Sequence, residues 1–147
     1  MQFTTTTLTA LLAVCAPVLA KTRSTFASAE WTLTSLARTC NTNDTTCTWT
    51  FGIDTNTEGV DPTDCVFVVR NTGVQPASTA PGGPVTCGAY TITSGWSGQF
   101  GAGNGFTVLS VVDRPKNLIV YAGYRDDVLG NGTVVDPDLS FPVQTLQ

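Results

Sequence analysis

The chain has 147 residues, enough for one domain, of which only 12% are charged, and its net charge at pH 7 is −4. Nucleic acids and anionic membranes call for basic patches, so we expect neither nucleic acid as a partner nor insertion into a membrane. The sequence contains no histidine, which excludes Ser-His-Asp and Cys-His catalytic machinery and most zinc sites.

The first twenty residues are predicted to be a signal peptide. Residues 8–20 are apolar and uncharged, and this run is too short to span a bilayer, which takes roughly 20 apolar residues. It ends in Val18-Leu19-Ala20, which suits signal peptidase, and Lys21 follows at once. The alternative is a buried apolar segment of the fold. We expect cleavage after residue 20 and a secreted, extracellular domain of residues 21–147.

Cleavage would remove Cys15 and leave four cysteines, Cys40, Cys47, Cys65 and Cys87. An even number of cysteines in an exported protein indicates a disulfide framework. Four cysteines allow three pairings. Among these we expect Cys40–Cys47 and Cys65–Cys87, because each pair would link neighbouring strands.

The N-terminal half is predicted to consist of strands. Residues 31–34 and 47–54 alternate apolar and polar side chains with a period of two, which is typical of half-buried strands. The polar residues 41–46 fit a hairpin turn, and a change of face near Ser35 predicts a bulge. Residues 65–69 are apolar without interruption, which predicts a strand covered on both faces.

The C-terminal half continues this pattern. Residues 71–84, rich in Pro, Gly, Ser and Thr, are predicted to form a loop, and residues 85–93 a strand. Residues 106–112 and 118–124 should form a hairpin whose turn has Pro115 at its second position. Asn131-Gly132, between two apolar pairs, is a strong signal for another hairpin.

These elements, about eight short strands with frequent turns, predict an all-β fold, a single compact β-barrel or β-sandwich with two disulfides. The core should be formed by inward-facing side chains of the strands, namely Trp49, Phe51, Ile53, Phe67, Val69, Tyr90, Ile92, Val108 and Leu118.

Few residues are candidates for catalysis. A carboxylate pair for glycoside hydrolysis would need Glu30 or Glu58 with an aspartate, and nothing in the sequence brings such a pair together. The four aspartates at positions 126, 127, 136 and 138 could bind calcium, but their spacing matches no EF-hand, and solvated turn residues explain them more simply. We expect no catalytic residue, no metal and no cofactor.

Two further features are candidate sites. The sequons that begin at Asn43 and Asn131 are possible N-glycosylation sites. Residues 94–106 contain five glycines among aromatic residues. Either Trp96, Phe100 and Phe106 plug the end of the barrel, or some of them face outward as a platform for a sugar or protein partner.

The segments 38–40, 47–53, 93–100, 105–113 and 118–121 resemble a family of fungal small secreted proteins, whose described member is a hypersensitive-response-inducing elicitor of the rice blast fungus. The similarity runs from Trp31 to the C-terminus. The resemblance implies a β-barrel or sandwich like that of thaumatin-like plant proteins. It also implies a role in provoking plant immunity and cell death from outside the cell, and it assigns no catalytic residue.

We therefore expect a non-catalytic, monomeric effector or elicitor in the host apoplast. Its partner would be a plant surface receptor or an apoplastic defence protein. One alternative is a carbohydrate- or cell-wall-binding module that uses the aromatic residues around Trp96 to hold polysaccharide. The other alternative is a histidine-free hydrolase that uses carboxylates.

Overall fold

The computed structural model describes residues 29–147, so the predicted signal peptide lies outside the described residues. This part of the chain contains a 3₁₀ turn at Ala77–Thr79 and no helix that could cross a membrane. Its nine strands are β1 (Glu30–Cys40), β2 (Thr46–Asp54), β3 (Thr63–Arg70), β4 (Gly82–Cys87), β5 (Tyr90–Ser97), β6 (Phe106–Asp113), β7 (Leu118–Arg125), β8 (Leu139–Pro142) and β9 (Gln144–Thr145).

The strands form two antiparallel sheets. The first sheet has the order β3-β2-β1-β8, and the second has the order β4-β5-β6-β7-β9. Side chains from both sheets meet in one buried cluster, as in a sandwich of two sheets packed face to face. The sheets are not closed into a barrel, so the all-β prediction is confirmed in its sandwich form.

The core follows from the alternation of inward and outward side chains. Seven of the nine predicted core residues are buried. Val108 is only half-buried because the inward positions of β6 are Thr107, Leu109 and Val111, one residue out of phase with the prediction. Leu118 is half-buried at the start of β7 and packs against the edge of the core.

Two strand predictions are wrong. Residues 65–69 were expected to be covered on both faces, but β3 is an edge strand whose outward side chains Val66 and Val68 are 63% and 40% exposed. Residues 85–93 do not form one strand, because the chain turns back between β4 and β5. Gly88 has a φ of 57° in this turn, a conformation that favours glycine.

Other local predictions are confirmed. The register of β1 against β2 shifts between Thr34 and Ala37, and Ser35 within this bulge has a φ of 50°. β6 and β7 form the expected hairpin, in which the Asn117 amide donates to the Arg114 carbonyl. This bond closes a turn with Pro115 at its second position.

The predicted Asn131-Gly132 hairpin does not form. Instead, residues 126–135 run along the end of β1, with isolated bridges from Asn131 to Arg38 and from Val134 to Ala37. The Asn131 side chain accepts a bond from the Cys40 amide at 2.6 Å and donates to the Cys40 carbonyl at 3.1 Å. The dipeptide still forms a local turn, in which the Thr133 amide donates to the Gly130 carbonyl, but its flanking residues pair with β1 instead of with each other.

Both predicted disulfides are present. Cys40 and Cys47 lie opposite each other on β1 and β2, where their bond closes the hairpin. The Cys65–Cys87 bond joins β3 to β4, which are edge strands of different sheets. The second pair therefore cross-links the sandwich, whereas the sequence had suggested a link between neighbouring strands.

Candidate functional site

Residues 98–105, which we call the glycine loop, connect β5 to β6. Two tight turns shape this loop, since the Gly101 amide donates to the Gly98 carbonyl and the Asn104 amide donates to the Gly101 carbonyl. Gly101 and Gly103 have φ angles of 91° and 77°, which only glycine adopts readily. The glycines thus hold a compact loop with few bonds to the rest of the protein.

Trp96 lies just before the loop, and its side chain packs against Asp126 and Gly105. Its indole nitrogen donates to the Asp126 carboxylate at 2.8 Å, and its ring is half-buried. The ring lies so close to Gly105 that a Cβ there would stand 2.8 Å from it. Trp96 therefore packs inward against Asp126 and Gly105 in an open sandwich, and its role in partner binding stays a prediction.

Phe100 and Phe106 behave differently. Phe100 is 66% exposed, and its ring centre lies 5.7 Å from that of the half-buried Phe106. With Asn104, Gly123 and Arg125 they line a cleft of about 530 Å³ that also contacts Tyr124, a size usual for small-molecule sites. The structure brings two of the three predicted aromatic residues together here and separates them from Trp96.

Arg38, a buried cation that was not predicted from the sequence, lies beside the Asp126 carboxylate that binds Trp96. Arg38 is 8% exposed, and its guanidinium donates to the carbonyls of Ser78 and Leu129. It lies 3.6 Å from the Asp126 carboxylate and 5.5 Å from the ring centre of Trp49. The predicted bulge at Ser35 turns both Leu36 and Arg38 inward. Arg38 was not among the predicted core residues because a charged side chain is seldom buried.

The aspartates that were considered for calcium bind different partners. Asp126 holds Trp96 and Arg38, Asp127 pairs with Arg125 at 2.7 Å, and Asp138 accepts the Ser35 amide. Among residues 29–147, the one group with metal-ligand spacing is Cys40, Asp44 and Cys47. Its two sulfurs are bonded to each other, and its carboxylate accepts two bonds from Ser78. The carboxylates of Asp44, Asp126, Asp127 and Asp138 are thus each engaged by other groups of the protein.

Comparison with known proteins assigns the family. The family model described as Effector TSP1 matches residues 32–146. The chain belongs to the Effector TSP1 family. The Effector TSP1 of Hypocrea virens (strain Gv29-8 / FGSC 10586) is 48% identical over 145 residues, which cover 96% of each chain.

The Effector TSP1 match extends from β1 to β9, so it includes both disulfides, the glycine loop and the cleft. The predicted fungal effector character is confirmed at this level, and an effector family indicates a secreted protein. The resemblance to the rice blast elicitor stays a prediction.

The two sequons differ in their surroundings. Asn43 lies exposed in the turn between β1 and β2. Asn131 is also exposed, but both polar atoms of its side chain bind the backbone of Cys40. Glycosylation at either residue stays a prediction.

Two tyrosines have a raised pKa. Burial raises the pKa of Tyr124 well above its usual value, and the negative charge of Asp138 adds to the effect. Its hydroxyl is buried and has no hydrogen-bond partner within residues 29–147. Burial and then Asp113 raise the pKa of Tyr90. Both groups therefore favour the neutral phenol in the folded protein.

Proposed function

We propose that this protein is a secreted effector that provokes a plant immune response and cell death by being recognised at the plant cell surface, without catalysis. The family match over residues 32–146 is the observation that carries the proposal, because it makes the chain a member of a fungal effector family. A plant surface receptor or an apoplastic defence protein would be the partner.

The contacts of the carboxylates support binding over catalysis. Asp44, Asp126 and Asp127 each bind another side chain of the protein, which are Ser78, Trp96 and Arg125 respectively. Groups that work in catalysis commonly converge on one pocket. The cleft at Phe106 is instead lined by aromatic side chains, a glycine, an amide and a guanidinium.

Phe100 is the best candidate for an anchor in a recognition surface. An exposed aromatic side chain on a loop fixed by tight turns loses little conformational freedom when a partner covers it. Aromatic anchors of this kind commonly contribute about 2 kcal/mol or more to binding.

The experiment is leaf infiltration with purified residues 21–147, compared with the same protein after reduction and alkylation. We expect the intact protein to cause an oxidative burst and cell death, and Phe100→Ala to weaken both without changing the thermal unfolding midpoint. Val74→Ala is the matched control, since Val74 is 93% exposed in another loop. An absence of any response to the intact protein would contradict the proposal.

The same assay tests catalysis. Glu30 and Glu58 are exposed, so Glu30→Gln and Glu58→Gln should fold normally and keep the full leaf response, as should Asp127→Asn. A single amide substitution that abolishes the response at unchanged stability would identify a catalytic carboxylate and overturn the binding proposal in favour of a hydrolase.

A further inference from the structure

A row of two glycines and one valine crosses the outer face of the second sheet. Gly95 on β5 pairs with Val108 on β6, which pairs in turn with Gly123 on β7. Gly95 and Gly123 are exposed, and Val108 between them is half-buried. Because a glycine lies on each side of Val108, this level of the outer face carries a single side chain across three strands, and we call this low row the trough. The cleft at Phe106 opens onto its Gly123 end.

Neither glycine is explained by the fold itself. Both lie outside the residues with positive φ, and a Cβ added to either would meet no atom within 4 Å. Glycine inside a strand costs roughly 0.5–1 kcal/mol relative to alanine, and it often marks a place where a ligand approaches closely. The space above these two residues is therefore kept open at a cost in stability.

The trough has walls of different character. On one side Phe106 pairs with Ser97 and Arg125, and Phe100 extends this wall. On the other side Ser110 pairs with Tyr121, which is 50% exposed. The two walls lie four residues apart along β6, a distance of roughly 14 Å between Cα atoms at about 3.4 Å per residue.

The chemistry of the trough favours a neutral ligand that forms hydrogen bonds. The one cation of its wall, Arg125, is held by Asp127 through two bonds of 3.1 and 2.7 Å, which neutralise its charge. The hydroxyls of Ser97, Ser110 and Tyr121 can donate and accept. Val108 and Phe106 offer apolar surface beside these groups.

We propose that the trough binds a neutral polysaccharide with a flat, β-1,4-linked pyranose chain. The apolar C–H groups of the sugar rings pack on Val108, Phe106 and Tyr121, and the sugar hydroxyls bond to the serines and to Asn104. This site goes beyond the proposed function, since it requires no receptor and would hold the protein on a glycan surface.

Native affinity electrophoresis tests the proposal with hydroxyethylcellulose and xylan as neutral probes and polygalacturonate as the anionic one. We expect the neutral gels to retard the protein. Gly123→Thr and Gly95→Thr, which fill the trough, should weaken binding at least tenfold while leaving the unfolding midpoint unchanged or higher. Val66→Thr, on the exposed outer face of the first sheet, is the matched control and should bind normally.

Four results would overturn the proposal. These are no retardation in either neutral gel, stronger retardation by polygalacturonate, binding that survives both glycine substitutions, and loss of binding in Val66→Thr. Tyr121→Ala provides a second variant that leaves the glycines in place, and it should also weaken retardation.

Leaf assays separate this proposal from the proposed function. If Gly123→Thr abolished the leaf response while the intact protein bound no glycan, the trough would hold a protein partner. The polysaccharide site would then be wrong, and the effector role would stand. Loss of glycan binding with an intact leaf response would support the polysaccharide site and make it independent of recognition.

Discussion

Two neighbouring loops of this protein are held in opposite ways. Residues 126–135, the anchored loop, are tied to β1 by bonds from the Gly132 amide to the Arg38 carbonyl and from the Val135 amide to the Leu36 carbonyl. Leu129 and Val135 of this loop are buried in the core. The anchored loop is therefore part of the packed interior although it has almost no regular secondary structure.

The glycine loop lies beside it and is held mainly by its own bonds. Its two turns are internal, and the Asn104 side chain donates to the Phe100 carbonyl within the same loop. Its largest side chain, Phe100, is mostly exposed. Irregular backbone thus stabilises the fold in the anchored loop, where its bonds are long-range. It presents an exposed surface in the glycine loop, where its bonds are local.

Arg38→Met should cause the largest loss of stability, because Arg38 binds the anchored loop through Leu129 and Asp126. The substitution removes the cation beside Asp126 and leaves the carbonyls of Ser78 and Leu129 without their donor. We expect the free energy of unfolding in urea to fall by about 2–3 kcal/mol. Arg125→Met is the control, because its pair with Asp127 is exposed and should contribute under about 1 kcal/mol. Equal effects of the two substitutions would contradict the anchoring role of Arg38.

Alkaline pH should destabilise the packed interior, to which Tyr124 on β7 belongs. Tyr124 ionises in the unfolded chain near its ordinary pKa of 10.0 but stays protonated when folded. The unfolded state then binds fewer protons, so stability falls as pH rises above 10. Between pH 8 and pH 11 this residue should cost about 1.4 kcal/mol, a loss that Tyr124→Phe should remove. Urea unfolding at both pH values measures it, and an equal loss in the variant would refute the assignment.

Asn131→Ala measures how much one polar side chain of the anchored loop contributes to stability. Both of its hydrogen bonds to Cys40 are lost, and we expect a destabilisation of about 1 kcal/mol because water can partly replace them. Asn43→Ala removes the other sequon residue from an exposed turn and should change stability by less than about 0.5 kcal/mol. Non-glycosylated protein from a bacterial host keeps glycans out of the measurement. A cost for Asn43→Ala that equals that of Asn131→Ala would speak against this role.

Phe100→Ala should have the smallest effect on stability. Its side chain is mostly exposed, so the free energy of unfolding should change by less than about 0.5 kcal/mol. Urea denaturation measures this change directly. A loss above about 1 kcal/mol would mean that the glycine loop is part of the packed structure and that the two loops do not differ in kind.

The sequence predicted what depends on local pattern. Alternation identified β2 and the hairpin of β6 and β7, and both disulfide pairs were predicted, although Cys65–Cys87 links strands of different sheets. It failed where distant contacts decide. Asn131-Gly132 binds β1 because the Cys40 backbone offers its side chain two partners. Val66 and Val68 are exposed because β3 ends a sheet, and strand order is not written in a local pattern.

The candidate site was predicted only in part, for a related reason. Trp96 and Phe106 are separated by a strand register that places Trp96 opposite Thr107 and Phe106 opposite Ser97. Adjacent positions on a strand point to opposite faces, so Trp96 faces inward and Phe106 lines the cleft on the outer face. The row of Gly95, Val108 and Gly123 depends on the pairing of three strands, which is a property of the folded sheet.

The disulfide between the two sheets has a consequence for survival outside the cell. The loop that Cys65 and Cys87 close contains Val74, one of the most exposed residues of the chain. Exposed loop tips are preferred sites of proteolytic cutting. A protease that cuts at Val74 leaves two fragments joined by the Cys65–Cys87 bond, one with β1, β2 and β3 of the first sheet and the other with β8 and the whole second sheet. After a single cut, the fragments would therefore stay linked by the disulfide and packed on one shared core.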